Sequence, residues 1–214
     1  MTAFTEIIDP MSKPTFLLAT NNQHKKHELQ QIMSGINLVT PDELGIEFDC
    51  DETGKTFLEN SVLKAQTLFS LAGKPVIADD SGLCVEGLEG APGIFSARFG
   101  SPEHGPDLES PERNTFLLKS MSGVRGPEER TATFVCCMSA ILDQYRIYTV
   151  QETMKGYIAD EPYGKGGFGY DPVFFLPGEG KTVAELSDAE KNLISHRGRA
   201  AMRLNNLLKG AEIE

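Results

Sequence analysis

The spacing of apolar residues predicts a chain in which strands and helices alternate. The apolar run at 15–19 is followed by a polar turn at 20–25, and Leu29, Ile32 and Met33 then recur at helical spacing. We therefore expect a strand, a turn and a helix, in this order, at the start of the pattern.

A second helix and strand follow the same logic. Thr56 and Glu59 match a capping box, the apolar residues after them recur mainly in helical register, and Gly73 stands where such a helix would end. The next apolar run, at 75–78, predicts a short strand that ends at the polar segment 79–82.

Two longer segments, 131–142 and 145–152, are rich in β-branched, aromatic and apolar residues and are separated by two polar residues. They predict an antiparallel hairpin. Residues 164–171 form a glycine-rich loop before an apolar strand at 173–176. Residues 101–113 concentrate Pro, Ser, Glu and Gly, which indicates a surface loop.

The C-terminal part of the chain is predicted to be helical. Ser187 and Glu190 form a second capping-box pattern, and Gly210 can end the final helix. Together the elements predict a mixed α/β fold. We expect residues 1–14 to be a flexible leader and residues 15–210 to form a single domain, since no repeat or long linker interrupts the pattern.

Charge and composition narrow the class of function. The 214 residues carry a formal net charge of -11, which argues against a nucleic-acid partner because such binding needs a continuous basic surface. No apolar stretch is long enough for a membrane span, and residues 1–14 lack the pattern of a signal peptide. A cytoplasmic protein with a small ligand is therefore expected.

The first candidate for chemistry is the polar turn before the first helix. Asn22 and Lys25 would bring backbone N–H groups at a helix start together with a positive charge, an arrangement that suits a phosphate. From this turn alone, an ordinary turn with a solvated lysine is the more economical interpretation, because the GxxxxGK[ST] pattern of a P-loop is missing.

A pair of carboxylates, Asp79 and Asp80, directly follows the predicted strand at 75–78. Side chains at strand ends commonly meet the ligand crevice of α/β proteins, and adjacent carboxylates there need a nearby cation. With Glu52 close by, they would offer the oxygen ligands that Mg²⁺ prefers. A tight turn without a metal explains the same residues about equally well.

Two further groups of residues indicate a ligand site only when they are considered together with the others. Phe168 stands among glycines, where the backbone can approach a ligand closely and the ring can stack on a nucleobase. Lys191, His196 and Arg197 form a basic group in the C-terminal helical region, which by itself is typical of a solvated surface.

Taken in order along the chain, these motifs resemble one family, the Ham1-like inosine triphosphate pyrophosphatase family. The matching segments are Leu18-Ala19-Thr20-x-Asn22-x-x-Lys25, Glu52-Thr53-Gly54-x-Thr56-Phe57-x-Glu59-Asn60, Ala78-Asp79-Asp80-Ser81-Gly82-Leu83, Gly90-Ala91-Pro92-Gly93, Gly166-Gly167-Phe168-Gly169-Tyr170-Asp171-Pro172 and Ser195-His196-Arg197-Gly198. Each segment is weak alone, but their ordered combination is specific and extends from about residue 15 to about residue 208.

The resemblance implies an elongated fold with a long mixed sheet, flanking helices and two lobes around a nucleotide cleft, in a protein that is usually a homodimer. It also implies a Mg²⁺-dependent hydrolase. Such an enzyme converts the triphosphates of inosine, deoxyinosine or xanthosine to the monophosphate and pyrophosphate, and so cleanses the nucleotide pool. The expected partner is thus a small nucleotide, with no nucleic acid and no membrane.

Candidate site residues follow from the same resemblance. Glu52 and Asp80 resemble the Mg²⁺ site, and Asp80 also resembles the proton acceptor. Residues that resemble substrate contacts lie in the phosphate turn, beside the metal and in the base-recognition wall: Thr20, Asn21, Asn22, Gln23, His24, Lys25, Lys64, Ser81, Phe168, Gly169, Tyr170, Asp171, Lys191, His196 and Arg197. Asn21 and His24 depart from the pattern, since many relatives have Gly at both positions.

The expected chemistry is in-line attack of water at the α-phosphorus. Mg²⁺ would neutralise charge, an aspartate would accept the proton, and Lys25 would hold the leaving pyrophosphate. Sequence adjacency does not separate the roles of Asp79 and Asp80, because neighbouring residues of a strand point in different directions. Donors from His196 or Arg197 would favour a 6-keto purine over adenine by roughly 10⁴-fold or more.

Other interpretations stay open at this point. A related pyrophosphatase for modified pyrimidine nucleotides would use the same metal and phosphate chemistry. A regulatory protein would bind the nucleotide without turnover, although Glu52, Asp79, Asp80 and Lys25 argue against it. A phosphatase with an aspartyl nucleophile would carry an Asp-x-Asp arrangement, which the segment 79–82 lacks.

Overall fold

The computed structural model describes residues 13–102, 105–124, 126 and 128–211. Most of the predicted leader, residues 1–14, lies outside this part of the chain. The strands are β1 (Thr15–Leu18), β2 (Asn37–Val39), β3 (Val76–Val85), β4 (Thr131–Ile141), β5 (Ile147–Ile158), β6 (Phe174–Leu176) and β7 (Lys181–Thr182). The α-helices are α1 (Gln23–Ile32), α2 (Phe57–Ala72), α3 (Ser110–Ser120), α4 (Asp188–Ile194) and α5 (His196–Lys209).

The strands form a 7-stranded sheet with the order β2-β1-β3-β4-β5-β6-β7. β1 runs parallel to β2 and β3, whereas the later neighbours pair in antiparallel fashion. The predicted mixed α/β fold is therefore confirmed. The predicted hairpin is formed by β4 and β5, although β5 extends beyond the expected end at 152 to Ile158, because it pairs with β4 as far as Thr131.

Side-chain caps determine where the helices beside the sheet begin. Asn22 Oδ1 accepts two hydrogen bonds from the first turn of α1, at 3.0 and 3.2 Å. Thr56 Oγ1 accepts the Glu59 N–H at 3.1 Å and starts α2. Glu59 in turn accepts from the Lys55 N–H and not from that of Thr56, so only half of the predicted capping box forms. The second predicted box, at the start of α4, forms completely.

A sharp junction joins α4 to α5. Ser195 caps α5, because its Oγ accepts the Gly198 N–H at 3.0 Å. A Cβ atom at position 198 would collide with the Asn192 carbonyl oxygen, so glycine is required where the helices meet. Gly73 and Gly210 stand at the ends of α2 and α5, as expected.

The strand predicted at 75–78 is too short. β3 continues to Val85. We had expected Asp79 and Asp80 to lie at the end of a strand, but they lie in its middle. The reason is tertiary: β4 pairs with β3 along its whole length, and this ladder keeps extended a polar segment that favours a turn in isolation.

The surface loop predicted at 101–113 is also shorter than expected, because α3 begins inside it at Ser110. Glu109 and Glu112 form a capping box across the first turn, and Pro111 suits this position since it needs no hydrogen-bond donor there. The Pro, Ser, Glu and Gly content of this segment thus predicts a loop, although its last residues begin α3.

Apolar clusters lie at both ends of β3 and leave its middle polar. Ile77 packs with residues of α1 and α5 on one face of the sheet, and Val76 and Ala78 pack with α2 on the other. Leu83 and Val85 belong to a third cluster with α3 and β6. The segment 79–82 therefore lies between two packed regions, as expected for two lobes around a cleft. Within the described residues, no helix has the length and apolar character to cross a membrane.

Candidate active site

A cavity of about 320 Å³ opens beside the polar middle of β3. The first turn of α1, the glycine-rich loop and the start of α5 close its sides. Of the residues predicted for the site, all line this cavity except Thr20, Asn21 and Gln23. The fold therefore brings together segments that are far apart in the sequence.

The polar turn is shaped by its own side chains. Thr20 Oγ1 accepts the Asn22 N–H at 3.1 Å, which fixes the turn before the cap. Asn21 and Gln23 are exposed and lie outside the cavity lining. Lys25 extends from the helix into the cavity, where its ammonium lies 3.0 Å from Asp79 Oδ2. The turn thus contributes one inward-facing cation, whereas the N–H groups of Asn22, His24 and Lys25 are bound by its own side chains.

Asp79 is an internal counter-ion. It is 1% exposed, and its Oδ2 accepts from the Ser81 hydroxyl at 3.2 Å and lies 3.5 Å from Arg197 Nε in addition to its contact with Lys25. Burial alone would raise the pKa of Asp79, but Lys25 and Arg197 outweigh burial and hold it well below its ordinary value. This carboxylate stays charged and is enclosed by cations.

Asp80 faces the opposite side of β3, towards α2. Lys64 Nζ lies 3.3 Å from Asp80 Oδ1 and 2.7 Å from Glu52 Oε1, and Asn60 donates to Asp80 Oδ2 at 3.3 Å. Burial raises the pKa of Asp80, Lys64 opposes this, and Glu52 adds to the rise. The net direction is upward, which suits a group that takes up a proton.

Glu52 and Asp80 also fit the donor set of a magnesium site. Their oxygens share one ammonium group, so a dication could take the same place between them, and Mg²⁺ needs only one or two protein carboxylates when phosphates supply further oxygens. Among the described residues, no group of three or more His, Cys, Asp and Glu side chains could hold a metal. The protein alone thus offers an incomplete oxygen shell that a phosphate ligand would complete.

Phe168 forms the opposite wall of the cavity. Gly167 and Gly169 on either side have φ values of 67° and 62°, a conformation that favours glycine. The Phe168 N–H donates to Asp171 Oδ2 at 2.8 Å, and Lys191 Nζ donates to the same oxygen at 2.7 Å. The tight turn and the buried ion pair therefore hold the ring in place.

Three side chains approach the Phe168 ring. The Lys191 ammonium lies 4.6 Å and the Arg197 guanidinium carbon 5.3 Å from its centroid, both within cation–π range. The His24 ring is stacked on it at 5.4 Å between centroids, with 19° between the planes. Phe168 is thus an aromatic platform bordered by positive charge.

Glu28 is a site residue that sequence reasoning missed. One of its oxygens lies 2.6 Å from Lys191 Nζ and the other 2.8 Å from Arg197 Nη1. Burial would raise the pKa of Glu28, but Arg197 and Lys191 more than offset it and lower the pKa. Its position on α1, three residues after Lys25 and on the same helix face, was the available signal.

His196 and Tyr170 are buried beneath the cavity. The His196 ring stacks on Phe134 at 4.6 Å with 6° between the planes, and burial, Arg197 and Lys191 keep its pKa well below the ordinary value. His196 is therefore neutral, and its Nδ1 has no hydrogen-bond partner within the described part of the chain. The Tyr170 hydroxyl donates to the Ser96 carbonyl at 2.9 Å and anchors the loop from below.

The start of α3 braces the glycine-rich loop and was also missed. Asn114 Nδ2 donates to the Gly169 carbonyl at 3.1 Å, and the Gly169 N–H donates to Ser110 Oγ at 3.2 Å. Arg113 Nη2 donates to the Leu108 carbonyl at 2.8 Å and fastens the chain before the helix. Ser110 and Arg113 were missed because the sequence pattern indicates a surface loop at 101–113, and Asn114 directly follows this segment.

Comparisons with known proteins identify the family of the chain. The model of the Ham1 family matches residues 16–207. The dITP/XTP pyrophosphatase of Treponema denticola is 48% identical over 194 residues, which cover 91% of this chain and 98% of that protein. The dITP/XTP pyrophosphatase of Bacillus subtilis is 40% identical over 195 residues, covering 90% and 96% of the two chains.

Solved structures show the same fold. The HAM1 protein of Coxiella burnetii superposes with a TM-score of 0.82 at 36% identity and covers 92% of this chain and 100% of that one. The Ham1 protein of Staphylococcus aureus gives 0.81 at 38% identity with the same coverage. The family predicted from the ordered motifs is confirmed: the chain belongs to the Ham1 family.

Proposed function

We propose that this protein hydrolyses the triphosphates of deaminated purine nucleosides, dITP, ITP and XTP, to the monophosphate and pyrophosphate. One observation carries the proposal: a single cavity joins a carboxylate and lysine cluster, Glu52, Lys64 and Asp80, to an aromatic and cationic wall around Phe168. The first suits a triphosphate and the second suits a purine. The names of the relatives, dITP/XTP pyrophosphatases, support the same substrate class.

In the proposed reaction, Asp80 takes the proton of the attacking water. A bond forms between the water oxygen and the α-phosphorus, the bond from that phosphorus to the bridging oxygen breaks, and pyrophosphate leaves. Lys25 and Lys64, whose ammonium groups lie beside Asp79 and Asp80, would bind phosphate oxygens. Glu52 and Asp80 would hold Mg²⁺, which when bound neutralises part of the phosphate charge.

Base selectivity is proposed to depend on His196. Its ring is neutral, is fixed by stacking on Phe134, and has an unused Nδ1. The Arg197 guanidinium is already engaged by Glu28, Ser81 and the Asp79 carboxylate, so fewer of its donors are free. A hydrogen bond donated by a fixed imidazole N–H to the O6 atom of hypoxanthine or xanthine would disfavour adenine, whose 6-amino group is itself a donor.

A homodimer and a cytoplasmic location are part of the proposal. Leu58 and Phe95 are 45% and 52% exposed and lie together at a second, largely apolar cavity. A neighbouring copy that covers them would remove apolar surface from water. The net charge of -11 argues against a nucleic-acid partner, because such binding needs a continuous basic surface. Light scattering after size-exclusion chromatography, repeated with Phe95→Glu, tests the dimer.

The main test is release of pyrophosphate and of orthophosphate from the triphosphates of inosine, xanthosine, adenosine and guanosine. We expect pyrophosphate from the first two only, and loss of release without Mg²⁺ or in Asp80→Asn. Asp188→Asn, whose side chain is 71% exposed outside the cavity, is the matched control. Three outcomes would each contradict the proposal and identify one of the alternatives. They are faster hydrolysis of modified pyrimidine nucleotides, nucleotide binding without turnover, and formation of a phospho-enzyme.

A further inference from the structure

The His24 ring occupies the surface on which a base would stack. It lies 5.4 Å from the Phe168 ring, nearly parallel to it, and both side chains line the cavity. An imidazole ring has the shape of the five-membered half of a purine. An internal aromatic group therefore covers part of the platform.

The other neighbours of Phe168 cannot easily move away. Lys191 is held by Glu28 and Asp171 at 2.6 and 2.7 Å. Arg197 is held by Glu28 at 2.8 Å and donates to Ser81 at 2.9 Å. Both cations are buried, and separating a buried ion pair is strongly unfavourable.

His24, in contrast, is exposed, and its ring has no hydrogen-bond or ion-pair partner within the described residues. The ring stacks on Phe168, and an aromatic pair of this kind is weak. A planar ligand that approaches the platform therefore meets one movable group and two fixed ones.

We infer that His24 acts as an internal competitor of the purine base: it covers Phe168 in the free protein and is displaced when a base stacks there. The inference rests on the proposed function of the cavity. His24 lowers the affinity for every purine nucleotide by a common factor, because its displacement is the same for each base. It therefore sets the affinity of the site, while selectivity stays with the groups that contact the base edge.

Proton–carbon NMR correlation spectra of the imidazole groups provide a direct test. The chain has 4 His residues, so the signals are few, and His24→Ala assigns the relevant one. Without a nucleotide, we expect the ring current of Phe168 to shift the His24 signal. Inosine monophosphate should abolish this shift, and pyrophosphate should not. A His24 signal that stays in place while inosine monophosphate binds, or that pyrophosphate alone displaces, overturns the inference.

Affinity measurements give a second test, in which two substitutions of His24 should change the dissociation constant in opposite directions. The dissociation constant of inosine monophosphate, measured by calorimetry, is expected to fall about two- to tenfold in His24→Ala, the range of an aromatic pair. It is expected to rise in His24→Phe, whose ring would compete more strongly. His27→Ala, an exposed histidine of the same helix outside the cavity, should leave it unchanged.

The outcomes distinguish this inference from the proposed function. Weaker binding in His24→Ala contradicts the competitor role. It does not bear on whether the protein hydrolyses inosine triphosphate. Absence of both inosine monophosphate binding and inosine triphosphate hydrolysis in the unsubstituted protein overturns the proposed function, and the inference with it.

Discussion

Asp79 and Asp80 are consecutive residues of one strand, almost equally buried at 1% and 5% exposure, yet their pKa values move in opposite directions. Asp79 faces α1 and α5 and meets two cations, Lys25 and Arg197. Asp80 faces α2 and shares one cation, Lys64, with a second carboxylate.

Burial raises the pKa of both aspartates, so the opposite directions come from the number of cations and carboxylates around each one. A carboxylate enclosed by two cations is held in its charged form, and its main effect is to position those cations. A carboxylate that shares one cation keeps a raised pKa and can accept a proton. We therefore assign a structural role to Asp79 and the proposed catalytic role to Asp80.

The largest expected effect comes from Asp80→Asn. Loss of the proton acceptor should lower kcat by roughly 10²- to 10⁴-fold, the usual contribution of a general base. Stability should stay equal or rise slightly, because a carboxylate with a raised pKa is less stable when charged in the folded protein. Steady-state kinetics and urea unfolding, with Asp188→Asn as control, check both parts. Unchanged kcat would remove Asp80 from the mechanism.

Asp79→Asn is expected to act mainly on stability. The substitution removes the shared counter-ion of half-buried Lys25 and buried Arg197, of which Arg197 keeps Glu28, so the loss of unfolding free energy should be about 3 kcal/mol, the lower end of the range for a broken buried pair. Urea unfolding at pH 7 measures this cost. If Asp79→Asn keeps full stability but loses kcat as Asp80→Asn does, the division of roles between the aspartates is wrong.

Glu28→Gln should give a smaller effect on the base side of the cavity. The amide keeps the shape but loses the charge that holds Lys191 and Arg197, so the KM for inosine triphosphate should rise about tenfold. The change in kcat should be much smaller than in Asp80→Asn. An equal loss in kcat with unchanged KM would show that Glu28 supports the chemistry and not the platform.

The smallest effect is a pH dependence. The pKa of Asp79 is below its ordinary value of 3.8 in the folded protein, so its stabilisation is present above that pH and is lost as the pH falls towards the folded pKa. The stability difference between the unsubstituted protein and Asp79→Asn should therefore narrow by about 1 kcal/mol from pH 5 to pH 3. Unfolding at both pH values tests the sign, and a widening difference would contradict it.

Much of the site was predictable because its motifs are contiguous. The turn at 20–25, the aspartate pair and the glycine-rich loop each carry a local signal, and most of their residues line the cavity. Glu28 and Asn114 were not found, because a glutamate on a helix and an asparagine after a polar loop look like ordinary surface residues. Only the packing of α1 against α5, and of α3 against the loop, buries them beside partners.

The sequence by itself determined the alternation of helices and strands, the caps at Thr56 and Ser187, and the family, since these depend on neighbours a few residues apart or on ordered motifs. The tertiary structure decided the length of β3 and the separate environments of Asp79 and Asp80. Both depend on long-range pairing: β4 holds a turn-forming segment extended, and the two faces of a strand then meet different helices with different charges.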